Sequence, residues 1–155
     1  MNGAYLHLAI NHVPVLITPV GFLLLAGGLI RKSKDLTQAG YLALVAVAIL
    51  AYPVEKTGGM AARMVHNLPG IEGANIREHA EAADYVLWPA IILGVLSLFG
   101  LWKSQKSGAV PTGVTLLALI GSLFLSTIVL KVAHLGGLIH HPEIANTVVS
   151  PPSPK

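Results

Sequence analysis

The stretch Val13-Pro-Val-Leu-Ile-Thr-Pro-Val-Gly-Phe-Leu-Leu-Leu-Ala-Gly-Gly-Leu-Ile30, stopped at once by Arg31, Lys32 and Lys34, decides the class of the fold. It carries no charge and is about long enough to cross a hydrocarbon layer of ~30 Å. Working outward from it, three similar runs follow, so that the expected spans are about 6–30, 36–54, 78–102 and 111–138. None alternates apolar and polar residues with a period of two. Closed barrels are the only competitor to helices in lipid, so all four are read as helices.

Composition agrees. Of 155 residues, 54% are hydrophobic and 11% charged, against roughly 25% charged in an ordinary soluble domain. The chain reads as one all-α domain over residues 1–145, a four-transmembrane-helix bundle without a soluble second domain. Residues 146–155, ending Ser150-Pro-Pro-Ser-Pro-Lys155, form an extended, solvent-exposed tail. The first span is expected to be retained, because the residues before it contain no Lys or Arg of the kind that opens a secretory signal. No internal repeat of solenoid length is visible.

Direction follows from the basic residues. The two short connections hold Arg31, Lys32, Lys34, Lys103 and Lys106 with Asp35 as the one acid, whereas the long connection from Glu55 to Asp84 is more acidic than basic. The positive-inside rule then places the short connections in the cytoplasm and both termini on the outer (periplasmic) side. The net charge of +3 is read as orientation signal, with no nucleic-acid partner.

With that orientation every histidine falls at the outer end. At 1.5 Å per residue, His12 and His134 lie near the outer boundary on two different helices, with His7 and His79 a little above and His141 two turns beyond His134. Helical direction adds a second filter at 100° per residue. Arg77, Glu81 and Asp84 share one face, while His79 points the other way, above Ala82, Ala83, Val86, Ala90 and Leu93. His7 heads a small, polar stripe through Asn11, Pro14, Thr18 and Gly21. His12 heads Leu16, Pro19 and Leu23, about 140° away on a straight helix. Gly136-Gly137 and Pro142 favour an unwound end to the fourth span, and the tyrosines and tryptophans, Tyr41 among them, read as interfacial anchors. Gly94, Gly100 and Gly121 permit either close helix packing or contact with a flat cofactor.

At His7-Leu-Ala-Ile-Asn-His-Val-Pro14, Glu78-His-Ala-Glu-Ala-Ala83 and His134-Leu-Gly-Gly-Leu-Ile-His-His-Pro-Glu143, the chain resembles a bacterial family of small four-helix integral membrane proteins to which no reaction is assigned. The resemblance covers nearly the whole chain. It implies that His7, His12, His79 and His141 belong to the family pattern, with Glu143 beside them.

Chemistry must come from residues other than cysteine, of which there are none. This excludes disulfides, thiolate metal sites, cysteine nucleophiles and covalent c-type haem. Three readings of the cluster remain. The leading one is a b-type haem electron-transfer subunit, with one or two haems held by His7, His12, His79, His134 and His141 and serving redox partners at the outer face, rather than a stand-alone enzyme. The second is a nonhaem copper, zinc or iron site built from the same histidines plus Glu78, Glu81, Asp84 or Glu143. The Glu-x-x-His signature of di-iron bundles is absent. The third is a structural or accessory subunit of a larger membrane complex, whose histidines only form hydrogen bonds.

Overall fold

The computed structural model describes residues 3–141, all of whose regular structure is helical. In chain order the helices are α1 (Gly3–Ile10), α2 (His12–Ile30), α3 (Lys34–Val65), α4 (Gly73–Asp84), α5 (Leu87–Ser107) and α6 (Thr112–His140). They make four rods long and apolar enough to cross a membrane: α1 with α2, α3, α4 with α5, and α6.

Two of the rods are broken, and proline explains both breaks. Pro14 has no N–H to meet the carbonyl of Ile10, where α1 ends, and Pro89 has none to meet that of Tyr85, the residue capping α4. Each break sits one turn before a proline, and each cuts a short histidine-bearing helix from a membrane rod. The connection expected over Glu55–Asp84 is mostly helical, since α3 runs on to Val65 and α4 begins at Gly73. The run Met60-Ala-Ala-Arg-Met64 consists of good helix formers, and Thr57 donates to the Pro53 carbonyl at 2.7 Å, one turn after the internal proline.

Helices α2, α3, α5 and α6 form a square: α2 and α5 each touch α3 and α6, α1 lies on the end of α3, and α4 on the end of α6. The core of this square mixes apolar side chains, Leu25, Leu44, Val47 and Leu125 among them, with small polar ones. Thr18, Thr37, Ser97, Ser104, Thr115 and Ser122 have no exposure, while Leu16, Leu23, Ile49, Ile92, Leu117 and Ile120 point outward. Lipid is as apolar as leucine, so close packing and hydrogen bonds must hold such helices together. Accordingly, a Cβ at Gly21 would come within 2.9 Å of Leu44, Gly94 sits on Ala48, and Gly100 on Tyr41. These glycines pack helix against helix, which answers the alternative of cofactor contact at that depth.

Tyr41 departs from the expected interfacial role. It is fully buried, with its hydroxyl 2.8 Å from Thr115 Oγ1, tying α3 to α6. Gln38 donates to Ser104 at 3.1 Å, tying α3 to α5 at the same end. Tyr5, Tyr52, Tyr85, Trp88 and Trp102 are exposed, as interfacial side chains would be. The basic short connections share this end, and the histidines gather at the opposite one.

Candidate histidine site

Helix α1 presents His7 to α3, and α4 presents His79 to α6. His7 Nδ1 is 3.2 Å from the Val54 carbonyl and 3.3 Å from Thr57 Oγ1. His79 Nδ1 is 2.9 Å from the Val132 carbonyl. A carbonyl oxygen only accepts, so Nδ1 carries the proton in both rings and donates it across the helix interface. In the neutral imidazole that leaves Nε2 with its lone pair. Each ring edge rests on a glycine: a Cβ at Gly58 would meet His7 Cε1 at 3.1 Å, and one at Gly136 would meet His79 Cε1 at 3.1 Å.

One turn from His7 on the same face, Asn11 holds its side-chain oxygen buried and without a hydrogen-bond partner. Such an atom is costly in an apolar interior, and it stands beside an imidazole whose outward nitrogen is open. As the helical phase predicts, Arg77, Glu81 and Asp84 are exposed while His79 is partly buried, and Arg77 pairs with Glu81 at 3.7 Å.

The other expected site residues are not drawn in. His12 is exposed, on the side of α2 that also carries Leu16 and Leu23, and His134 is exposed on α6. His141 is exposed at the end of α6, and Glu143 lies outside the described residues. Among the described residues, no three His, Asp or Glu side chains gather into a group that could hold a metal ion, so the five-histidine cluster is not assembled. The reason is angular: His7 and His12 stand on different faces of their rod, and only one of them can face inward. Nor is α6 unwound at Gly136-Gly137. It remains helical to His140, where Asn75 of α4 donates to the Leu138 carbonyl at 3.1 Å and pins the end.

Sequence reasoning missed Val54, Gly58, Val132 and Gly136. A signal was present: the pairs Gly58-Gly59 and Gly136-Gly137 each begin four residues after a valine, one helical turn, so carbonyl and glycine share a face. Lys131 lines an open groove with Glu78, Glu81 and Tyr85.

Compared with family models, with curated proteins and with solved structures, the chain finds no match.

Proposed function

We propose that this chain is a b-type haem electron-transfer subunit of a bacterial inner membrane, in which His7 and His79 would hold the haem. The observation that carries this reading is the shared state of the two rings: both donate Nδ1–H to a carbonyl of a neighbouring helix and keep Nε2 as a free lone pair. Metal-ligating histidines have this arrangement, since the second hydrogen bond orients the ring and raises its basicity.

The number of donors separates haem from the alternatives. Haem iron takes its equatorial nitrogens from its own macrocycle and asks the protein for axial ligands only, whereas zinc and copper sites draw three or four ligands from the protein. Two presented imidazoles, with no group of three His, Asp or Glu side chains among the described residues, suit the first demand and not the second. The absence of cysteine makes the attachment noncovalent.

In this reading the Val54 and Val132 carbonyls hold the rings in place, Gly58 and Gly136 leave room for them, and the close-packed bundle below keeps water from the site. When bound, the haem supplies one-electron oxidation and reduction. With both termini and the histidines placed on the periplasmic side, redox partners would be met at that face. The test is the absorption spectrum of protein purified in mild detergent from its own membranes. A Soret band and a b-type pyridine haemochrome are expected, and their absence from well-expressed protein overturns the reading.

A further inference from the structure

The two halves of the bundle correspond position by position. Helices α1, α2 and α3 form one broken rod and one continuous rod, and so do α4, α5 and α6. Exchanging the halves pairs the principal helix contacts: α2 on α3 corresponds to α5 on α6, which is the slighter contact, α3 on α5 to α6 on α2, and α1 on α3 to α4 on α6. One constant spacing takes His7 to His79, Thr18 to Ala90, Gly21 to Leu93, Leu25 to Ser97 and Gly28 to Gly100, every residue after the histidines being buried. A second constant spacing, longer because the second short connection is longer, takes Thr37 to Thr115, Leu44 to Ser122 and Val47 to Leu125, again all buried. It also takes Val54 to Val132 and Gly58 to Gly136, the carbonyls and glycines that hold the two histidines. Thr37 donates to the Ser33 carbonyl at 2.9 Å and Thr115 to the Pro111 carbonyl at 3.1 Å, so even this side-chain bond is repeated in register.

We infer that the chain is one helical hairpin duplicated in tandem, and that His7 and His79 are the two halves of a single site on the pseudo-two-fold axis between the copies. Both hairpins begin at the same end of the bundle, so the axis runs along the rods. A ligand that meets both imidazoles in equivalent ways lies on that axis and presents two like faces. There is one such ligand per chain, shared by the halves, in place of one in each. Its class, a flat metal macrocycle, rests on the reading proposed above; the duplication does not. The halves differ beside the imidazoles, where Asn11 corresponds to Ala83 and Thr57 to Leu135, so the His7 face is the more polar of the two.

The experiment titrates ferric haem into the full-length chain in detergent and follows its absorption, for the wild type and for His7→Ala and His79→Ala. Expected are saturation at one haem per chain, the same change from six- to five-coordinate spectrum in either variant, and recovery of the six-coordinate spectrum on adding free imidazole, which also shows that the variants are folded. Two haems per chain, or a wild-type spectrum in either variant, overturns the single shared site. A wild type that binds no haem overturns the function proposed above, and the duplication is then judged on the ligand-free chain by 15N NMR of the histidine rings. A protonated Nδ1 in both His7 and His79 supports equivalent halves; a protonated Nε2 in one of them overturns it.

Discussion

His79 Nδ1 stands 2.9 Å from the carbonyl oxygen of Val132, and this one bond from α4 to α6 sets both the direction of the ring and the nitrogen left open. His7 and Val54 repeat the relationship between α1 and α3 at 3.2 Å. Because the acceptor is a backbone carbonyl, the tautomer is a property of how the helices pack and does not depend on a second titratable group.

The first prediction concerns the histidines themselves. His79→Ala and His7→Ala should each remove bound haem or change its coordination, whereas His12→Ala and His66→Ala, at exposed positions, should leave the spectrum as it is. The interhelical bond lost in His79→Ala should cost about 1 kcal/mol of stability, too little to unfold the bundle. Haem content per chain and a thermal melt in detergent check both statements.

Neighbouring glycines provide an internal control. Gly136→Ala places a Cβ at 3.1 Å from His79 Cε1, while Gly137 has no heavy atom within 4 Å of its added Cβ. Gly136→Ala should therefore tilt the ring and shift the haem spectrum and midpoint potential. Gly137→Ala should change neither, and should raise stability by roughly 0.5–1 kcal/mol through its better helix propensity. The pair Gly58 and Gly59 should behave alike in the spectrum, since Gly59 is also open.

Away from the site, Gly100 takes the ring of Tyr41 against its backbone. Gly100→Ala forces α5 from α3 and should destabilise the bundle by about 1–3 kcal/mol. Tyr41→Phe, which loses the 2.8 Å bond to Thr115, should cost about 1 kcal/mol. Chemical denaturation in detergent micelles would rank the two, and a Gly100→Ala variant as stable as wild type would contradict the packing described.

Orientation is tested by fusing alkaline phosphatase or a fluorescent protein after Lys155. The five basic residues of the short connections predict active phosphatase and a dark fluorescent fusion, as expected of termini placed outside by the positive-inside rule. The reverse result would move the histidines, and any redox partner, to the cytoplasmic face.

Much of this was legible in the sequence. Four apolar runs of spanning length are enough to require helices, since an isolated strand in lipid leaves its backbone unsatisfied. Periodicity along one helix was also enough to separate His79 from Arg77, Glu81 and Asp84, and the stripe of His7 from that of His12, because a face is a local property of 3.6 residues per turn. Which face meets which helix is not local. Only the packing of α1 on α3 and of α4 on α6 chose the Val54 and Val132 carbonyls, left His12 and His134 outside, buried Tyr41, and kept Gly136-Gly137 helical. The duplication stayed hidden for a related reason: identity is kept at scattered positions such as His7 and His79, Thr37 and Thr115 or Gly58 and Gly136, while Leu44 and Ser122 or Leu25 and Ser97 share only their burial. In a membrane bundle the requirement at such a position is the space between two helices, and several side chains of different chemistry can fill it.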